Sequence, residues 1–182
     1  FLFGFLPFTL AAYFALARAF PSSIRNGWAN FLLLVLSLCF YATSEQKFLP
    51  LLLATAALDY ACAAFIERRG TDGPRRTLAQ KAALTLSIGT NLAVLGYFKY
   101  SFFAVTKANE LFSVLGISAL NTGLFEGIVL PLGISFYTFQ TMSYTIDVYR
   151  GEVKPSRSFV NFACLVTLFL HLIAGPIVRY SD

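Results

Sequence analysis

Six apolar runs, each long enough or nearly long enough to cross a bilayer as a helix, constrain this chain more than any other feature. Spanning a hydrocarbon core of ~30 Å takes about 20 apolar helical residues. The windows are Phe1–Phe20, Trp28–Ala42, Phe48–Ile66, Ala82–Tyr100, Ile128–Ile146 and Phe159–Tyr180. Barrel strands would be about ten residues long with alternating polarity, so these runs read as helices. Pro7 starts or kinks the first, and Trp28 is placed as an interfacial anchor for the second. The expected fold class is therefore all-α: a polytopic membrane protein of about six transmembrane helices in a single domain, residues 1–182.

Composition agrees. Only 13% of the 182 residues are charged against 57% hydrophobic, whereas a soluble domain carries roughly 25% charged residues to cover its surface. The first run has neither a basic leading region nor a small-residue cleavage site, so it is no secretory signal. The chain begins inside an apolar run and stops just after Arg179, and it is expected to be a piece of something longer. Ser101–Gly127 is too polar to span and too apolar to float, and it reads as a short interfacial helix around Phe103, Leu111, Phe112 and Leu115.

Charge sets the orientation. The connections after the first, third and fifth runs hold ten basic residues: Arg18, Arg25, Arg68, Arg69, Arg75, Arg76, Lys81, Arg150, Lys154 and Arg157. The opposite side holds four, Lys47, Lys99, Lys107 and Arg179. The positive-inside rule puts the basic loops in the cytoplasm and the first terminus outside. The basic Glu67–Lys81 stretch lacks a GxxxxGK[ST] pattern and reads as a topology signal, with no nucleic-acid partner expected.

Cys39, Cys62 and Cys164 are scattered singly and support neither a disulfide framework nor a metal site. There is no GxSxG, no HExxH and no carboxylate pair on one helical face. What stands out is polarity inside two spans. From Leu130 to Glu152 the sequence runs LPLGISFYTFQTMSYTIDVYRGE, and steps of about 100° put Gly133, Tyr137, Gln140, Tyr144 and Asp147 on one face. Phe139, Met142 and Ile146 point the other way, toward lipid. A polar stripe in a spanning helix must face protein or a water-filled cavity. Small residues would dominate if it only joined helices; two tyrosines and a glutamine favour a lined passage. Asp147 and Arg150 lie close enough in sequence for an ion pair at the helix end.

In the last run Asn161, Cys164, Leu168, His171 and Gly175 share a face, and Gly175-Pro176 should break the helix near the bilayer surface. His171, the single histidine, reads as an interhelical hydrogen-bonding residue rather than a catalytic base.

Three stretches, PLGISFYTFQ, IDVYRGEVKPSRSF and HLIAGPIVRYSD, closely resemble the membrane-bound O-acyltransferase superfamily, nearest its bacterial alginate O-acetyltransferase branch. FYATSEQKFLPLLL (Phe40–Leu53) and LGYFKYSFF (Leu95–Phe103) fit the same branch. The resemblance implies a helical bundle around a tunnel, in the bacterial inner membrane, that passes an acetyl group from a cytoplasmic donor to an exported polysaccharide such as alginate. It implies acetyl-CoA as donor with no bound cofactor, and periplasmic acetyl-transfer proteins as partners beside membrane lipid. The family's catalytic histidine lies well beyond the GPIVR motif, downstream of Asp182, so no catalytic residue is assigned and the stretch alone is expected to be inactive. Tyr137, Gln140, Asp147, Arg150 and Arg179 are the candidates for lining the tunnel. D-alanyl transfer, peptidoglycan acylation, or a transporter or scaffold role without chemistry are the alternatives.

Overall fold

A computed structural model describes residues 5–19, 22–70, 76–115 and 130–168, and all of their regular structure is helical. In chain order these are α1 (Phe5–Ala19), α2 (Ser22–Glu45), α3 (Leu49–Arg68), α4 (Leu78–Val114), α5 (Ile134–Arg150) and α6 (Phe159–Thr167). A short 3-10 turn, Gln46–Phe48, joins α2 to α3. Pro50 follows in the first turn of α3, where its missing N–H costs nothing. Gly175-Pro176, His171, Arg179 and the end of the sixth expected run lie outside the described residues.

Among the described residues, one helical run, Gly27–Arg68, is long and apolar enough to cross a membrane, and Phe5–Ala15 is a shorter apolar helix. Phe8, Phe14, Phe31, Phe103, Phe136 and Phe139 all stand exposed on outer faces. So much exposed aromatic surface suits lipid rather than water.

The expected interfacial helix is corrected. Residues 101–114 continue α4 without interruption, making one helix of 37 residues. The polar residues that suggested a break are accommodated locally: the Thr106 hydroxyl donates to the Phe102 carbonyl at 2.9 Å, and Lys107 pairs with Glu110 at 2.8 Å. Such i,i+3 and i,i+4 bonds let a helix carry polar groups beyond its apolar half.

Both ends of the α3–α4 connection are fixed by one side chain. Thr77 caps α4, its hydroxyl accepting from the Gln80 N–H at 3.3 Å while Gln80 Oε1 accepts from the Thr77 N–H at 2.9 Å. This reciprocal arrangement satisfies two N–H groups that the helix start leaves without partners. Gln80 Nε2 also donates to the carbonyls of Ile66 (2.9 Å) and Gly70 (3.0 Å) at the end of α3. Gln80 is buried, so the bonds are shielded from water.

At the core, α3 packs against α4, α5 and α6, while α2 packs against α1 and α6. Tyr60 of α3, Tyr144 of α5 and Phe159 and Phe162 of α6 form an aromatic knot, with the Tyr144 and Phe162 ring centroids 4.5 Å apart. Asn30 Nδ2 donates to Asn161 Oδ1 at 3.1 Å, tying α2 to α6.

Candidate functional site

Helix α5 carries the polar face, and its ends explain how that face is held. Gly133 precedes the helix at φ 72°, and Gly151 follows it at φ 81°, both in the left-handed region where a Cβ is costly. The N–H groups of Gly151 and Glu152 close the end on the carbonyls of Val148 and Asp147, each at 3.0 Å. Between these caps Tyr137, Gln140, Tyr144 and Asp147 are all buried. The structure thus brings four of the sequence-derived residues together inside the protein.

Their partners differ along the helix. At the basic-loop end, the Tyr144 hydroxyl accepts from the Ser156 N–H at 3.0 Å and pins the loop after α5. One turn on, Asp147 Oδ2 faces the Ser143 hydroxyl at 3.4 Å. Toward the start of α5 the Tyr137 hydroxyl, the Thr138 hydroxyl and Gln140 Nε2 are buried without a hydrogen-bond partner among the described residues. On α2, Ser37 Oγ and the Tyr41 hydroxyl are in the same condition. A buried polar group left unmatched costs roughly 1–3 kcal/mol, so such a concentration marks a place where something else completes the bonds.

Two expectations at this face are corrected. Arg150 does not pair with Asp147; it is exposed and its guanidinium lies 3.8 Å from Glu152. The C-terminal turn of α5 ends in a left-handed glycine, which carries the chain round and sets Glu152 beside Arg150. Met142 does not face lipid but is 8% exposed. Because α5 packs against both α3 and α4, its buried arc is wider than one stripe, and Phe136 and Phe139 are the large apolar residues it leaves exposed. Arg179 lies outside the described residues.

The most polar point in the core was missed in the sequence. Asp59 of α3 is wholly buried. Its Oδ1 accepts from the Ser87 hydroxyl at 2.6 Å and from Asn91 Nδ2 at 2.9 Å, and its Oδ2 accepts from the same amide nitrogen at 2.8 Å. One carboxylate therefore draws two side chains of α4 onto α3, while the Thr141 hydroxyl of α5 donates to the Thr138 carbonyl at 3.2 Å. Among the described residues no basic side chain pairs with Asp59. The signal was present: Asp59 is the lone charged residue between Lys47 and Glu67. An ionisable residue deep in an apolar span marks a functional or organising position.

At the same end, Arg76 stacks on the Tyr149 ring, its guanidinium carbon 5.6 Å from the centroid, and so draws the basic connection onto α5.

The chain is similar along all of its length to probable alginate O-acetylases. It is 41% identical to the one from Azotobacter vinelandii and 38% identical to the one from Pseudomonas putida, covering 34% of each relative. It is also 31% identical to a peptidoglycan O-acetyltransferase from Helicobacter pylori, covering 36% of it. The chain thus spans about a third of the length of the curated relatives it matches. No family model and no solved structure matches it.

Proposed function

We propose that this chain, similar along its whole length to probable alginate O-acetylases, belongs to the membrane-bound O-acyltransferase superfamily and is the amino-terminal part of an enzyme that acetylates an exported polysaccharide. The end-to-end match to relatives named for O-acetyl transfer carries this reading. In the reaction a thioester such as acetyl-CoA gives up its acetyl group to a sugar hydroxyl or a carrier side chain. The new C–O bond replaces the C–S bond, and the hydroxyl proton leaves with the thiolate. A general base for that proton is expected downstream of Asp182.

In this reading the chain crosses the inner membrane about six times, its first terminus outside, as the ten-to-four distribution of basic residues suggests. Its own contribution is the passage wall. Tyr137, Gln140 and Asp147 supply an inward polar face, Arg150 closes the end of α5, and Arg179 is a further candidate from the sequence alone. Periplasmic acetyl-transfer proteins would receive the group outside. The relative from Helicobacter pylori supports a second acceptor, peptidoglycan.

The full reading frame should be expressed in a bacterial host that makes alginate but lacks its own acetylase, and ester-linked acetate measured on the polymer and on the cell wall. Acetate appearing on the polymer supports the first acceptor, and on the wall the second. Acetate unchanged on both, with the protein present in the membrane, would overturn the enzymatic reading.

A further inference from the structure

Basic residues gather at one end of the bundle with little to oppose them. Residues 67–70 and 76–81 hold four basic side chains and one acidic, and residues 150–157 hold three and one. The two stretches meet because α5 packs against α3 and α4 and because Gln80 ties the end of α3 to the start of α4. Of these cations, among the described residues, Arg150 alone lies within ion-pair distance of a carboxylate, that of Glu152. A topology signal needs charge and nothing more. Two of the arginines carry more. Arg76 is half-buried on the Tyr149 ring, and its Nη1 is shut from water with no acceptor among the described residues. Arg69 stands over the ring of Phe65, its guanidinium carbon 5.2 Å from the centroid. Phe65 is itself exposed, and so are Leu78, Leu86 and Leu92 along α4. Cations and bare apolar side chains therefore share one rim.

We propose that this rim is a site for an anionic phospholipid, its phosphate held by Arg76 and its acyl chains laid along the bare side of α4 from Leu78. A guanidinium offers a planar pair of donors that matches two phosphate oxygens. Stacking on Tyr149 fixes the plane of that fork. Basic clusters beside the ends of spanning helices attract such headgroups. The apolar track beneath the cations selects a lipid over a soluble anion, which has no chain to lay there. The inference rests on the membrane placement in the proposed function, where these loops meet the cytoplasmic leaflet, and is independent of acetyl transfer.

The test titrates the full-length protein in neutral detergent with phosphatidylglycerol, or with phosphatidylcholine of the same chains. Native mass spectrometry counts the lipid retained. The unaltered protein should keep phosphatidylglycerol in preference to phosphatidylcholine. Arg76→Gln should weaken phosphatidylglycerol roughly fivefold, the worth of one basic residue at an anionic surface, and leave phosphatidylcholine unchanged. Arg76→Lys keeps the charge but loses the flat fork, so it should weaken phosphatidylglycerol as well. No preference for phosphatidylglycerol, or Arg76→Lys binding it as tightly as the unaltered protein, would reduce the cluster to a topology signal and overturn the site. Displacement of the lipid by excess coenzyme A would show a place for soluble phosphates and overturn it too. A second measurement needs no variant: phosphatidylglycerol with a photoreactive headgroup should cross-link to the peptides that carry Arg76 and Tyr149. Cross-links confined to other peptides overturn the site. An inactive enzyme that still keeps the lipid leaves the site standing and overturns only the enzymatic reading.

Discussion

The Ser87 hydroxyl lies 2.6 Å from Asp59 Oδ1, a length typical of an O–H donor on a charged oxygen. It links the middle of α3 to α4 where Asp59, Ser87 and Asn91 are all buried. Asn91, one turn further along α4, holds both carboxylate oxygens and so fixes the rotation of one helix against the other. Polar contacts of this kind specify a pairing that apolar packing between lipid-like side chains leaves loose.

Asp59→Ala should therefore destabilise the full-length protein by about 1.5–3 kcal/mol, the range for hydrogen bonds to a charged group. Ser87→Ala should cost less, since Asn91 still serves both oxygens. In a double-mutant cycle Asp59 and Ser87 should couple by about 0.5–3 kcal/mol. Thermal unfolding in detergent measures all three. An Asp59→Ala protein as stable as wild type would contradict the arrangement.

Gln80 makes a second, separate prediction. Its amide oxygen accepts from the Thr77 N–H at the start of α4 and its amide nitrogen holds the Ile66 and Gly70 carbonyls, so Gln80→Ala removes both functions together while the Thr77 hydroxyl keeps its bond from the residue 80 N–H. A loss of about 1–2 kcal/mol is expected, at the upper end for a capping residue. Limited proteolysis between α3 and α4 should also speed up. Unchanged cleavage in the variant would show that other contacts hold the connection.

Orientation can be checked directly. Cysteines introduced at Gly73 and at Asn121 should react from opposite faces of the membrane, Gly73→Cys from the cytoplasm. Labelling of Gly73→Cys by an impermeant reagent added outside intact cells would reverse the topology.

His171→Gln in the full-length protein should keep most acetyl transfer. An interhelical hydrogen bond in a membrane is worth about 0.6 kcal/mol on average, which is a few-fold effect at most. A loss of several hundred-fold at normal abundance would make His171 part of the reactive centre.

The polar face of α5 was legible because tyrosine, glutamine and aspartate recur at helical spacing within one span. The helical class was legible from run lengths alone. Asp59 was not, because a lone carboxylate forms no pair or cluster along the sequence, and its partners Ser87 and Asn91 lie 28 and 32 positions away. Met142 was misplaced because a single stripe underestimates how much of a helix is covered when two neighbours flank it. The burial of Ser37 and Tyr41 on α2 was equally hidden, since nothing in FLLLVLSLCFY marks them as facing inward rather than lipid.

At 37 residues α4 is a rod about 55 Å long. If α4 crosses the bilayer as the proposed topology requires, then even at a tilt of about 40°, the upper end of what membrane helices adopt, it rises about 42 Å, more than the ~30 Å depth of hydrocarbon. Its length would then carry Phe102, Phe103 and the Lys107–Glu110 pair past the hydrocarbon, at a height set from the other end of the helix by Thr77 and Gln80.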